Sequence, residues 1–159
     1  LSGLAAAMAA ALTLSACGSD PKPKPKTIAE VKIKAAPTLN PDLNGRPSPV
    51  VVRFYQLLSA DMFQNADFFQ LFEQEQAALG PTSAAKEEHV VEPGQIATVS
   101  IGVKDDVKSL GVVVAYRNYE KATWRAVVPI QQDRTNVINL QALGQIVQMS
   151  VDSVYIPDQ

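Results

Sequence analysis

The residues of this chain that could do chemistry are few and lie far apart. Cys17 is the only thiol; it follows Leu14-Ser15-Ala16, a run of mostly small residues that ends an apolar segment begun at Leu4. His89 is the only imidazole, and it sits in a polar stretch from Thr82 to Glu92. A lone histidine with no evident Ser/His/Asp partners, and no Gly-x-Ser-x-Gly turn, gives no nucleophile with its base. Glycine-rich phosphate loops are missing from the sequence. Asp105-Asp106 could offer oxygens to calcium, but no loop with the required ligand spacing surrounds the pair, which reads as a solvated hairpin turn. Glu73, Glu75, Glu87 and Glu88 read as solvated faces. Arg53, Arg117 and Arg125 lie on expected strands, where each should snorkel or pair with a surface acid. No catalytic residue, metal ligand or cofactor is therefore expected.

Chemistry remains for Cys17 alone, and its neighbours say which. The segment from Leu4 to Leu14 is too short to cross a bilayer as a helix, which needs ~20 apolar residues. It fits the hydrophobic region of a secretory signal ahead of a small-residue cleavage site. Leu14-Ser15-Ala16-Cys17 resembles a bacterial lipobox, in which cleavage precedes the cysteine and the sulfur then carries a diacylglyceryl thioether beside an N-acyl chain such as palmitate. Residues 1–16 would then be a signal peptide, absent from the mature protein. The sequence opens at Leu1 with no initiator Met and no basic leader, so the precursor is expected to be cut short. Each buried methylene contributes ~0.8 kcal/mol, and three acyl chains exceed what stable anchoring requires. Gly18 stands where an Asp would favour retention in the inner membrane of Gram-negative lipoproteins, so the expected location is the periplasmic face of the outer membrane.

Lys and Arg total 14 against 16 Asp and Glu, and the net charge of −2 argues against a nucleic-acid binder, which would carry a basic stripe. An acylated Cys17 leaves no disulfide, so stability must come from core burial. Residues 27–159 suffice for one domain that buries roughly two-thirds of its unfolded surface.

Between anchor and domain, residues 17–26 form a linker. Gly18 to Lys26 reads GSDPKPKPK. Proline lacks the N–H and pushes each preceding residue to extended angles. Polyproline II at ~3.1 Å per residue makes this a semi-stiff stalk reaching roughly 28 Å. Ile28 to Ala35 then alternates, with Val31, Ile33 and Ala35 facing one way and Glu30, Lys32 and Lys34 the other, as in a half-buried strand. Thr38 to Ser48 is turn chemistry throughout. Val50 to Leu57 is apolar on both faces, as befits a central strand. Asn65 to Gly80 carries Phe68, Leu71, Phe72 and Leu79 at helical spacing, with Asn65 to cap it and Gly80-Pro81 to stop it. Met62 and Phe63 should form a short turn beside it. Thr82 to Glu92 reads as loop. Strands follow over Gln95 to Val103, Leu110 to Tyr119 and Thr123 to Ile130, with a short one at Val137 to Leu140. The last is Gln145 to Ile156, which turns Val147, Met149 and Val151 inward. Seven or eight strands with one inserted helix predict a β-sandwich. On such a scaffold the 38–48 loop stands out by its length and its prolines, either as a plain strand connection or as a rigid binding loop.

Several blocks of the chain resemble one family. Asn40-Pro41-Asp42 and the run from Gly45-Arg46-Pro47-Ser48-Pro49 through Tyr55-Gln56-Leu57 are similar to the signature of the type VI secretion outer-membrane lipoproteins, the TssJ (SciN, VasD) family. Ala66-Asp67-Phe68-Phe69, Leu71-Phe72-Glu73, Pro93-Gly94, Leu110-Gly111-Val112 through Tyr116-Arg117, and Trp124-Arg125 extend the resemblance in order. It implies a transthyretin-like two-sheet sandwich with added helical elements and a non-enzymatic role. It further implies that the protein holds the C-terminal periplasmic part of the inner-membrane protein TssM, which with TssL completes the membrane complex. In that family the loop joining the first two strands is implicated in binding TssM. Here this points to Asn40, Asp42, Leu43, Asn44 and Arg46. A periplasmic small-ligand carrier is the alternative, and it would need an apolar cavity between the sheets.

Overall fold

In a computed structural model of the chain, residues 21–157 are described. The signal segment 1–16 and Cys17 lie outside them.

β1 (Ile28–Ala35) and β2 (Val50–Leu57) form with the boundaries that their side-chain patterns predict. Among the described residues, eight strands arrange in two four-stranded sheets. In the first sheet β1 lies between β4 (Ile96–Gly102), antiparallel to it, and β7 (Thr135–Leu143), parallel to it; β8 (Ile146–Tyr155) then pairs antiparallel with β7. In the second sheet β2 lies between β3 (Ser83–Val91) and β5 (Ser109–Val114), and β6 (Arg125–Pro129) completes the order β3-β2-β5-β6, all antiparallel.

Alternation sends one face of each strand into the space between the sheets. Val31 and Ile33 of β1 meet Val52 and Phe54 of β2, Val112 of β5 and Leu140 of β7 there, each at most 2% exposed. The opposite face of β2 and β5 is also covered. Tyr55, Leu57 and Val113 pack under Phe63, Phe68, Leu71 and Leu79 of the segment between β2 and β3.

That segment is not the single helix that its apolar spacing predicts over 65–80. It is α1 (Asp61–Asn65), α2 (Phe68–Glu73) and α3 (Glu75–Leu79), followed by a 3₁₀ turn at Gly80–Thr82. Asn65 ends the first helix instead of capping a longer one. Ala66 and Asp67 are extended, and the Asp67 carboxylate accepts from the Gln70 N–H while the Gln70 side chain accepts from the Asp67 N–H. This capping box starts a new helix where one continuous helix would have needed helical dihedrals. Gly80 (φ 48°) closes α3, as expected.

Four strands also differ from expectation, one of them β7, which runs over nine residues, Thr135–Leu143, where a short strand over Val137 to Leu140 is expected. Thr82 to Glu92 reads as loop, yet Ser83–Val91 pairs along the whole of β2. Its inward face holds Glu87 and His89 ahead of the buried Val91, so the period-2 hydrophobic signal is lost. The strand begun near Leu110 stops at Val114 instead of Tyr119, and Arg117 to Lys121 form a turn. Val151 on β8 is 36% exposed instead of inward, next to the register shift between Val137 and Ile138 in the β7–β8 ladder.

Gly111 on β5 sets how closely α1 can approach. A Cβ there would stand 2.8 Å from the ring of Phe63, which is itself fully buried. Gly111→Ala is expected to lower stability by about 1–3 kcal/mol, as overpacking does. Adding Phe63→Leu should return part of that loss in urea unfolding, whereas two simply additive losses would show that the ring is not what the new methyl meets.

Candidate functional site

The 38–48 loop follows the C-terminal end of β1, the end opposite to Thr27. Leu39 is fully buried and roots the loop in the core. Asn40 is 4% exposed and has left-handed backbone (φ 47°), which asparagine tolerates better than most residues. Its Nδ2 donates to the Pro49 carbonyl at 3.0 Å, and its Oδ1 accepts from the Arg117 N–H at 2.9 Å. The Asn40 N–H donates to the Gly144 carbonyl at 2.8 Å. One side chain thus closes the loop across its own base, while side chain and backbone together tie it to the β5–β6 turn and the β7–β8 hairpin.

Asp42 organises the tip. Its Oδ1 accepts from the backbone N–H groups of Asn44 and Arg46 at 2.8 and 2.9 Å, and its Oδ2 accepts from Arg46 Nε at 2.9 Å. Backbone bonds Asp42 N–H to Arg46 C=O and Gly45 N–H to Asp42 C=O complete the turn, with Gly45 at φ 76°. Donation from the Arg46 N–H holds the Asp42 carboxyl below the usual carboxylate range, against a smaller opposing effect of desolvation. Leu43, by contrast, is as exposed as a leucine can be (106%), and the Arg46 side chain is 75% exposed. Pro41, Asp42 and Leu43 form one wall of an open cleft of about 460 Å³ whose other wall is Arg117, Asn118 and Gln145.

Of the five loop residues singled out from the sequence, two therefore shape the loop and three are presented by it. Asn40 and Asp42 are occupied by internal hydrogen bonds. Leu43, Asn44 and Arg46 face outward. Arg117, on the facing turn, is the residue that reasoning by strands missed, since it reads as a strand residue.

Arg53 and Arg125 have structural partners. Arg53 pairs with Glu88, stacks over Phe72 with its guanidinium carbon 3.7 Å from the ring centroid, and donates to the Phe72 carbonyl at 2.7 Å near the end of α2. Arg125 donates to the carbonyls of Phe63 and Ala66 around the end of α1. Both satisfy carbonyls that a short helix leaves open. Asp105 and Asp106 lie in an exposed turn with Asp106 at φ 66°, but not in the hairpin expected there, because the turn joins β4 of one sheet to β5 of the other. Among the described residues no group of three His, Cys, Asp or Glu is placed to hold a metal ion, and no helix is long and apolar enough to cross a membrane.

The protein is thus a two-sheet β-sandwich covered on one outer face by short helices, with a self-bonded loop that holds an apolar tip in solvent. Residues 27–145 match the family model described as type VI secretion lipoprotein (T6SS-SciN; VasD, EvfM, TssJ), and the chain belongs to that family. Solved structures agree. The T6SS lipoprotein TssJ1 from Pseudomonas aeruginosa is 29% identical with a TM-score of 0.77, the match covering 81% of this chain and 98% of that one. A chain of a structure described as "Type VI membrane complex" is 25% identical (TM-score 0.69; 79% and 98% covered). A chain of a structure described as "T6SS protein TssM C-terminal domain (869-1107) from EAEC" is also 25% identical (TM-score 0.65; 78% and 98% covered). No curated protein sequence matches the chain.

Asn40→Ala should cost about 1–3 kcal/mol in urea unfolding, because it strands the Arg117 N–H and the Pro49 carbonyl. Asp42→Ala should leave that midpoint nearly unchanged and speed amide exchange at Asn44 and Arg46. Because the Asp42 carboxyl is held low in the folded loop, the order it confers is complete above the ordinary carboxylate range. That order is lost as pH falls through the lowered value. Acid titration followed at the Asn44 and Arg46 amides should show loosening only below that range.

Proposed function

We propose that this protein is the outer-membrane lipoprotein of a type VI secretion membrane complex. It holds the C-terminal periplasmic part of the inner-membrane protein TssM and performs no catalysis. Acyl chains on Cys17 fix it to the periplasmic face of the outer membrane, and TssL completes the complex through TssM.

The observation that carries this reading is the polarity of β1. The stalk enters β1 at Thr27, and the 38–48 loop leaves at the far end, eight residues or about 26 Å away. A domain tethered by its N-terminal stalk turns the loop away from the lipid, towards a partner arriving from the inner membrane. The loop is ordered before it binds, so little conformational entropy remains to be lost on docking. Further support comes from the EAEC structure described by the TssM C-terminal domain. Only 78% of this 159-residue chain covers 98% of the chain it matches there, which is far shorter than the span 869–1107. The match is thus to a smaller chain than the TssM fragment itself. A ligand-carrier role would need space between the sheets, where Val52, Phe54, Ile138 and Leu140 instead pack with almost no exposure.

The chain from Thr27 onward should co-purify with the periplasmic C-terminal fragment of TssM. Replacing Asp42–Arg46 by a two-residue turn, with Leu39 and Asn40 kept, should weaken that complex at least tenfold at an unchanged melting temperature. Undiminished affinity would remove the loop from the interface. Cys17→Ala should move the protein from the membrane to the soluble periplasmic fraction and abolish secretion; an unchanged membrane fraction would contradict the anchor.

A further inference from the structure

Arg117 faces the loop across the cleft and is exposed. Its backbone N–H is committed to Asn40, but its guanidinium makes no ion pair among the described residues. The nearby carboxylate, Asp42, already accepts three hydrogen bonds from Asn44 and Arg46. Asp42 therefore offers Arg117 only attraction at a distance. The other wall of the same cleft ends in Leu43, whose side chain touches nothing that covers it. Beside Gln145, which closes the cleft from the β7–β8 hairpin, Leu143 and Ile146 are 38% and 43% exposed. An unpaired fork of N–H donors thus stands opposite a bare aliphatic side chain.

We infer that this cleft is the part of the docking surface that selects the partner: it takes an Asp or Glu carboxylate onto Arg117 while an adjacent apolar side chain of the same partner segment covers Leu43. The inference rests on the docking of the 38–48 loop proposed above and adds the chemistry of what docks. A guanidinium matches a carboxylate with two parallel N–H donors, which fixes orientation as well as charge. The protein's net charge is only −2, so no strong overall field competes with this local one. Such a pair acts mainly on encounter rate and specificity, and salt weakens it. Because Arg117 contributes only its backbone N–H to the fold, its side chain can be changed without touching the loop.

The test measures the dissociation constant of the chain from Thr27 onward for the periplasmic C-terminal fragment of TssM at several salt concentrations. This part of the chain holds all of the buried core among the described residues. Arg117→Glu is expected to weaken binding on the order of tenfold or more, Arg117→Gln less. The salt dependence should become shallower in Arg117→Gln, and Leu43→Ala should weaken binding without changing it. Lys32→Glu, on the exposed outer face of the first sheet, serves as the control and should stay within about twofold of the parent. All variants should melt as the parent does. Unchanged affinity in Arg117→Glu, while the loop-shortened chain no longer binds, would overturn the cleft assignment and leave the loop reading standing. Equal weakening by Arg117→Glu and Lys32→Glu would also overturn it, since the effect would then be one of overall charge. Full binding by the loop-shortened chain would instead sink the docking proposal beneath it.

Discussion

Everything at either pole of this domain depends on β1 being paired on both sides. Its parallel ladder with β7 and its antiparallel ladder with β4 run its full length or nearly so. A strand held on both edges cannot slip by one residue without turning Val31 and Ile33 out of the core. Its ends are therefore fixed points. Below, the Thr27 hydroxyl donates to the Gln132 side chain and accepts from the Asp133 N–H, while the Val103 N–H donates to the Thr27 carbonyl. Above, Ala36 accepts from the Gly94 N–H and donates to Ala142. Thr27 and the 38–48 loop thus lie at opposite ends of one strand that is paired on both edges.

The second sheet solves a different problem. β2 and β5 are apolar on both faces, so one face would be left in water if the sandwich ended there. The three short helices supply the missing layer. Their shortness has a cost, because each leaves backbone carbonyls open at its end, and Arg53 and Arg125 reach out of the sheet to fill them. The Tyr55 hydroxyl donates to the Leu71 carbonyl in the same way. Gly111 lets the layer sit close, and Phe68 stacks against Phe72 and Tyr119 at its border. The aromatic stripe in the sequence is core contact, and the strand arginines are its polar fasteners.

Much of this was legible in the residues, and the exceptions share a cause. β1 and β2 could be read to the residue because their alternation is driven by burial on a known face. Turn residues alone gave the boundaries of the 38–48 loop, while its part in binding came only as what the resemblance to the secretion lipoproteins implies. What escaped was decided by partners distant in sequence. β3 is a strand because β2 offers it a ladder, although Glu87 and His89 occupy its inward side. The helical segment breaks at Ala66-Asp67 because a capping box competes with helix continuation, and apolar spacing cannot register that competition. The split of the loop into shaping and presenting residues was equally hidden. Asn40 and Leu43 look alike as members of a turn-rich run, yet one is bonded to Pro49 and Arg117 while the other meets only solvent.

That split explains why such a loop suits a docking role. Polar side chains on a surface loop usually keep their hydrogen-bonding capacity for water, and a partner must then displace that water. Here Asp42 and Asn40 turn their capacity inward, so the pole presents few unsatisfied polar groups. What the loop leaves outward is Leu43, Asn44 and the ion-paired Arg46, with Arg117 across the cleft. Burying Leu43 would remove from water a surface that the free protein has no means to cover, worth about 1.5–3 kcal/mol. Internal bonds hold the loop that carries it, so the favourable term is gained without first ordering the loop. A tethered protein whose binding tip is stiff can meet a large partner in only a narrow range of orientations. In the role proposed above, that restriction is itself the mechanical contribution.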